Sequence, residues 1–241
     1  MEIKGNINAG YGNSATGSTS YGIIGGNNNI ISSTNSNVFG SNNSLTGSTH
    51  SIIGGGDGNI IHDYIGNGWN LVSGGYKNKI TSTSNAWTNV IAGGGSNTIN
   101  NTYYTSIGGG YGNNIYQGLY ATIGGGWNNT IYHSANSSFT EIIGGGGGNT
   151  IDNTPMAFIG GGYGNTIDGA ASTYGFIGGG IDNRINDHFN SFIGNGRNNS
   201  LFDGQRCIIV GGSNNYMRNV SDSFIGGGSN NYMRNASESF I

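Results

Sequence analysis

The residues that could do chemistry in this chain are few and scattered. Its four histidines, His50, His62, His133 and His188, never stand at metal-ligand spacing, so they are expected to be structural or at the surface. Asp57, Asp63, Asp152, Asp168, Asp182, Asp187 and Asp203 read as turn residues. They form neither a repeated calcium motif nor a marked pair of glycosidase carboxylates. The stretches GGGYGNN and GGGWNNT have the glycines of a phosphate loop. Both lack the Gly-Lys-Ser/Thr and the following helix that such a loop needs. A single cysteine, Cys207, excludes a disulfide framework within the chain and is expected to act as a small buried apolar residue. The expectation is no enzyme, no metal site and no cofactor.

Aromatic side chains offer a different chemistry, because an exposed ring can stack on a sugar or anchor a protein partner. Trp69, Trp87, Tyr103, Tyr104, Tyr120 and Tyr174 are the candidate receptor contacts, with Tyr132 and Phe139 nearby in the same variable segments. A second set is Tyr11, Tyr76, Tyr111, Trp127 and Tyr163. The competing reading of both sets is that they cover turns or fill an interface between chains. Asn-x-Ser/Thr triplets such as those at Asn128, Asn136, Asn219 and Asn235 are expected by chance in so Asn-rich a chain.

The elements that must position these side chains are written as a repeat. IVGGSNNYMRNVSDSFI, from Ile209, and IGGGSNNYMRNASESFI, from Ile225, are near copies offset by 16 residues. Copies open near 7, 23, 37, 53, 72, 91, 107, 123, 143, 159, 177, 193, 209 and 225. Position 1 is apolar in every copy but the one opening at Asn37. Position 4 is always Gly, as at Gly110, Gly126, Gly146, Gly162, Gly180, Gly196, Gly212 and Gly228. Position 7 is always Asn, as at Asn113, Asn129, Asn149, Asn165, Asn183, Asn199, Asn215 and Asn231. Position 9 is apolar throughout.

Two apolar anchors eight residues apart do not make an amphipathic helix, which wants one every three or four. They suit two short strands joined by tight turns. Gly at position 4 supplies a positive φ or a close backbone approach. Asn at position 7 tolerates the left-handed conformation, and stacked copies place its amide beside the next, as a ladder. The predicted fold is all-β, a parallel β-solenoid of the β-roll kind. It has about 14 coils of mostly 16 residues in a single repeat domain over 1–241, each copy lengthening the rod by about 4.8 Å. Length varies only in the second half of each copy, which marks a loop face free to vary and suited to binding.

Composition removes other classes. Gly is 50 of 241 residues, Pro 1, and charged residues 8%, with a net charge of −3. That is neither collagen nor a solvated disordered tail. No basic run marks a nucleic-acid partner. No apolar stretch is long enough to span a membrane, and MEIKGNINAG carries no visible secretory signal. The repeat already runs at Ile7 and still runs at Ile241, so the expectation is a segment of a longer fibre, or coils capped by another protein. So thin a coil buries little, which predicts lateral association into an oligomer.

INAGYGNSATGSTSYG (from Ile7) and FIGGGYGNTIDGAASTYGFIGGG (from Phe158) resemble the head repeats of YadA-like trimeric autotransporter adhesins; related repeats occur in phage tail fibres. The resemblance rests on the apolar-Gly opening, the Asn with a small or apolar residue two positions on, and the Ser or Thr before the next opening. It implies a left-handed parallel β-roll, a homotrimer, and a cell-surface, extracellular or virion-surface location with binding to host matrix, cell-surface receptors or glycans. The stricter GGG and the Ile at position 9 depart from the family pattern. The expected function is therefore an adhesive fibre segment. A receptor-free spacer or filament subunit is the first alternative. An ice-binding solenoid is the second, and it would need a regular Thr face.

Overall fold

The computed structural model describes residues 7–16, 22–64, 68–83, 87–137, 140–169 and 172–241. Every regular element among them is a strand. Two parallel sheets stack as a β-solenoid of about 13 turns, with about 16 residues per turn. The chain divides into two compact units, Met1–Leu119 and Tyr120–Ile241. Each contributes seven short strands to one sheet, here the opening sheet, and seven to the other, the closing sheet.

The register within each unit follows the repeat. In the opening sheet Ile143 pairs with Ile159, Ile159 with Ile177, and Ile177 with Ile193. In the closing sheet Ile151 pairs with Ile167, and Ile167 with Ile185. These position-1 and position-9 side chains face each other across the coil and are wholly buried, forming one Ile-rich core column per sheet. Each is worth roughly 1.5–3 kcal/mol. Because side chains alternate across a strand, the residue just before position 1 and those at positions 8 and 10 face outward.

The first copies correct the sequence-based opening. Ile23 pairs with Asn37, and Asn37 with Ile52, which puts all three on the outer face. The buried column runs through Ile24 and Val38 to Ile53. In these copies the buried anchor lies one residue later, at Ile24 and Val38. The interval to Ile31 and Leu45 is therefore seven residues rather than eight. The polar Asn37 is thus no break in the core. Copies from Ile53 onward carry one more residue between the buried anchor and the position-4 Gly, as in Ile53–Gly56 and Ile91–Gly94, and this residue is most often Gly.

Position 4 must be Gly on two counts. Its φ lies between 83° and 125° in all fourteen copies, a region that L side chains rarely adopt. In addition, a Cβ on Gly162 would stand 2.1 Å from the carbonyl oxygen of Gly180 on the next coil. Gly146, Gly180 and Gly212 meet the same obstacle at the same distance. The left-handed non-Gly residue, however, is position 6 and not position 7. Asn28, Asn42, Asn128, Asn198 and Asn214 have φ of 52–56°, and Gly12, Gly58, Gly112, Gly148 and Gly164 take that place elsewhere.

A candidate receptor-binding edge and its supporting ladders

Position-7 Asn residues face inward and are fully buried from Asn29 to Asn215. Each makes three kinds of bond. The Asn165 amide Nδ2 donates to Gly161 O in its own coil at 2.9 Å and to Gly180 O in the next at 3.0 Å. Its Oδ1 accepts the backbone N–H of Asn183 at 3.0 Å. The same pattern runs through Asn149, Asn183, Asn199 and Asn215, and closes on Asn231. In the first unit Asn113 donates its N–H to Asn97 Oδ1 at 3.0 Å and its amide to Gly109 O at 2.9 Å. Asn129 donates to Gly125 O and Gly146 O. Each side chain thus satisfies backbone groups that the turn would otherwise bury unpaired.

A second polar column, not read from the sequence, lines the other turn. It runs through the residue two before position 1, where Ser51, Asn70, Asn89 and Thr105 are buried. Asn70 N–H donates to Ser51 Oγ at 2.9 Å, and Asn89 N–H to Asn70 Oδ1 at 3.1 Å. Its only sequence signal is the small polar residue that recurs before these openings. In the second unit the same place is partly apolar, with Ala121, Ala157 and Cys207, and Glu141 is buried there with His133 Nε2 at 3.0 Å from its carboxylate. Burial raises the Glu141 pKa, and the bond to His133 opposes that rise. His188 is buried too, its Nδ1 bonded to Ser191 Oγ and its N–H donating to Ser172 Oγ at 3.2 Å. Burial lowers its pKa from 6.5 to about 4. Cys207 is buried and its thiol donates to the carbonyls of Gln205 and Val220.

The aspartates divide differently from the sequence reading. Asp63, Asp152 and Asp168 lie on closing-sheet strands, while Asp182, Asp187 and Asp203 hold positive φ. Asp168 pairs with Arg184, Asp203 with Arg218 and Asp222 with Arg206, all exposed enough to contribute little. Among the described residues, no three His, Cys, Asp or Glu converge on a point that could hold a metal ion.

Trp69, Trp87, Tyr104, Tyr120 and Tyr174 stand exposed at the second turn, the first two at 62% and 53%; Tyr103 is half-buried. In the first unit Trp69 packs on His50 at 5.1 Å, and Trp87 tilts against Tyr104 at 6.4 Å. In the second, Tyr174 meets the ring edge of Phe189 at 6.0 Å. Tyr104, Tyr120 and Tyr174 hold φ of 54°, 61° and 59°. The second turn thus places its left-handed residue at these rings, where bulky side chains are uncommon. Tyr132 is exposed as well, while Phe139 lies outside the described residues. The first turn carries its own exposed rings, Tyr11, Tyr76, Tyr111, Trp127 and Tyr163.

The outer face of the opening sheet is apolar in the second unit. Phe158 and Phe176 stack at 5.0 Å, as do Phe176 and Phe192; Ile208 follows at 39% exposure, then Phe224 and Phe240. The Phe192 ring lies over Gly194, where a Cβ would approach its edge within 3.1 Å. Glycine therefore lets the rings lie flat. By contrast, the outer row of the closing sheet runs Thr150, Thr166, Arg184, Ser200, Tyr216 in register, which is not a regular Thr face. No helix among the described residues is long and apolar enough to cross a membrane. No family model and no curated protein matches this chain.

Proposed function

We propose that this chain is a structural and adhesive segment of a surface fibre, built like a YadA-type head and associated laterally as a homotrimer. Its place is the surface of a cell or virion. The aromatic second turn meets a receptor of the host surface or matrix. One observation carries the reading: the repeat sorts exposed apolar groups into columns instead of scattering them. The flat Phe and Ile column on the opening sheet supports association between copies. The exposed rings gathered at the second turn support recognition of another molecule. Trp69 and Trp87 are the anchors in this reading, because Trp is among the residue types that dominate binding energy at interfaces.

Binding of the purified chain to cell-surface and matrix preparations tests it. Trp69→Ala and Trp87→Ala are each expected to weaken binding on the order of tenfold or more. Both side chains are largely exposed, so the fold survives either change. Binding that is unchanged in both variants would remove the second turn from the proposal. A wild-type chain that binds none of the preparations would leave the spacer reading in its place.

A further inference from the structure

We propose that the outer face of the closing sheet in the first unit carries a saccharide site that takes a short acidic oligosaccharide. This site is separate from the second-turn aromatics and does not rest on the fibre reading. A groove of about 490 Å³ crosses three neighbouring coils there. The strands Ile60–Asp63, Lys79–Ser82 and Thr98–Asn100 form it in register, with Lys79 beside Ile60 and with His62, Thr81 and Asn100 abreast. The inward partners, Ile61, Ile80 and Ile99, are core, so the floor is rigid and the outward side chains keep their spacing.

The chemistry of the lining is graded along the strands. At one end Tyr64 is 71% exposed and fixed edge-on to His62, ring centroids 4.4 Å apart. It gives a preset flat apolar surface, which matches the C–H face of a pyranose ring. In the middle, the Thr81 hydroxyl and the Asn100 amide line the groove side by side. Beside them, Thr83 donates its N–H and hydroxyl to Asn101 Oδ1 at 2.7 and 2.9 Å. That fixes the Asn101 amide with its NH₂ group left for a ligand hydroxyl. At the other end stands Lys79, which makes no ion pair among the described residues, and no carboxylate lines the groove. From Lys79 to the level of Thr83 is four residues of strand, roughly 13 Å. That is longer than one sugar ring and suits two or three. An uncommitted ammonium at the end of a groove lined with hydroxyls and amides selects a sugar bearing an anion. A peptide is disfavoured, because the groove offers no apolar pockets at the alternate spacing of an extended chain.

An array of uronate-, sialate- and sulfate-bearing oligosaccharides, each beside its neutral counterpart, is the first test on the full chain. The expected result is retention of acidic saccharides over neutral ones. Titration of the best one is expected to show a loss on the order of tenfold for Lys79→Ala and for Tyr64→Ala. Lys79→Arg keeps most of the affinity, and higher salt lowers it. Circular dichroism confirms that the variants are folded, and Tyr232→Ala, exposed on the same sheet in the second unit, serves as the variant expected to leave this binding unchanged. Equal binding of neutral saccharides, or binding that survives either alanine substitution, would overturn the assignment. So would the absence of any saccharide bound by the wild type. A loss caused by Trp69→Ala alone would move saccharide recognition to the second turn.

Discussion

At the residue scale, two neighbouring glycines in GGG do different work. Gly162 holds a φ of +89° under the carbonyl of Gly180, whereas a Cβ on Gly161 would meet nothing nearer than Gly145 O at 3.9 Å. Gly162→Ala is therefore expected to cost about 2 kcal/mol or more, and Gly161→Ala less than about 1 kcal/mol in either direction. Urea unfolding of the two variants checks this, and equal effects would refute the steric account. A titrating residue gives a second test. The pKa of His188 is about 4 when folded, against 6.5 for an ordinary histidine. The unfolded chain thus takes up the proton first as pH falls. Stability from the neutral ring is complete above pH 6.5 and is lost between 6.5 and about 4, by about 3 kcal/mol at most. Asp203 opposes the shift, and the raised pKa of Glu141 adds a dependence of opposite sign. The quantity to measure is accordingly the difference in unfolding free energy between wild type and His188→Gln across that range. A flat difference would show that His188 does not titrate as its burial implies.

At the element scale, the coil is a unit whose register is indifferent to its number in the stack. Ile193 pairs with Ile209, and Ile209 with Ile225, in the same way. Deleting residues 209–224 joins Ile193 to Ile225 in that register, so the shortened chain is expected to fold, with a slightly smaller denaturant m-value. Deleting 209–223 instead puts Phe224 where Ile belongs and turns Ile225 outward; this chain is expected to lose the cooperative transition. Circular dichroism and urea melts distinguish the two, and equal behaviour would refute a register set by the Ile columns. This modularity is the part most legible in the sequence. Apolar residues eight apart announce two strands, and an invariant Gly announces a backbone position that no side chain tolerates. The offset was hidden at Ile23 because Ile23 and Ile24 are both apolar; the signals that betray it are the polar Asn37 before the buried Val38 and the one residue fewer between anchor and position-4 Gly. The polar column through Ser51, Asn70 and Asn89 was harder still. Its residue type changes from coil to coil, and burial of a small polar side chain leaves no periodic signature in hydropathy. The closing-sheet groove was illegible for a related reason. His62, Thr81 and Asn100 come from three successive coils, and only the register brings them abreast, with Lys79 and Tyr64 towards the two ends.

At the scale of the whole molecule, the question is what covers the apolar column outside the opening sheet. Seven coils at about 4.8 Å give a column roughly 34 Å long in the second unit, and a strip one side chain wide covers only a few hundred Å². A stable interface needs about 800 Å² from each partner. A single strip is thus too narrow to hold a dimer by itself. In the proposed trimer each copy meets two others, and the column at a shared axis is one part of a wider contact. Three copies around such an axis place the Phe192 rings near one another, so a negative charge there is introduced three times at close range in an apolar setting. The wild-type chain is therefore expected to sediment near three times 24.8 kDa and Phe192→Asp near 24.8 kDa, with the same circular dichroism spectrum. A wild-type monomer would refute lateral association and favour a self-sufficient solenoid. A Phe192→Asp chain that keeps the wild-type mass would place the contact between copies on another face, and the first-turn rings Tyr111, Trp127 and Tyr163 would then be the surface to substitute next.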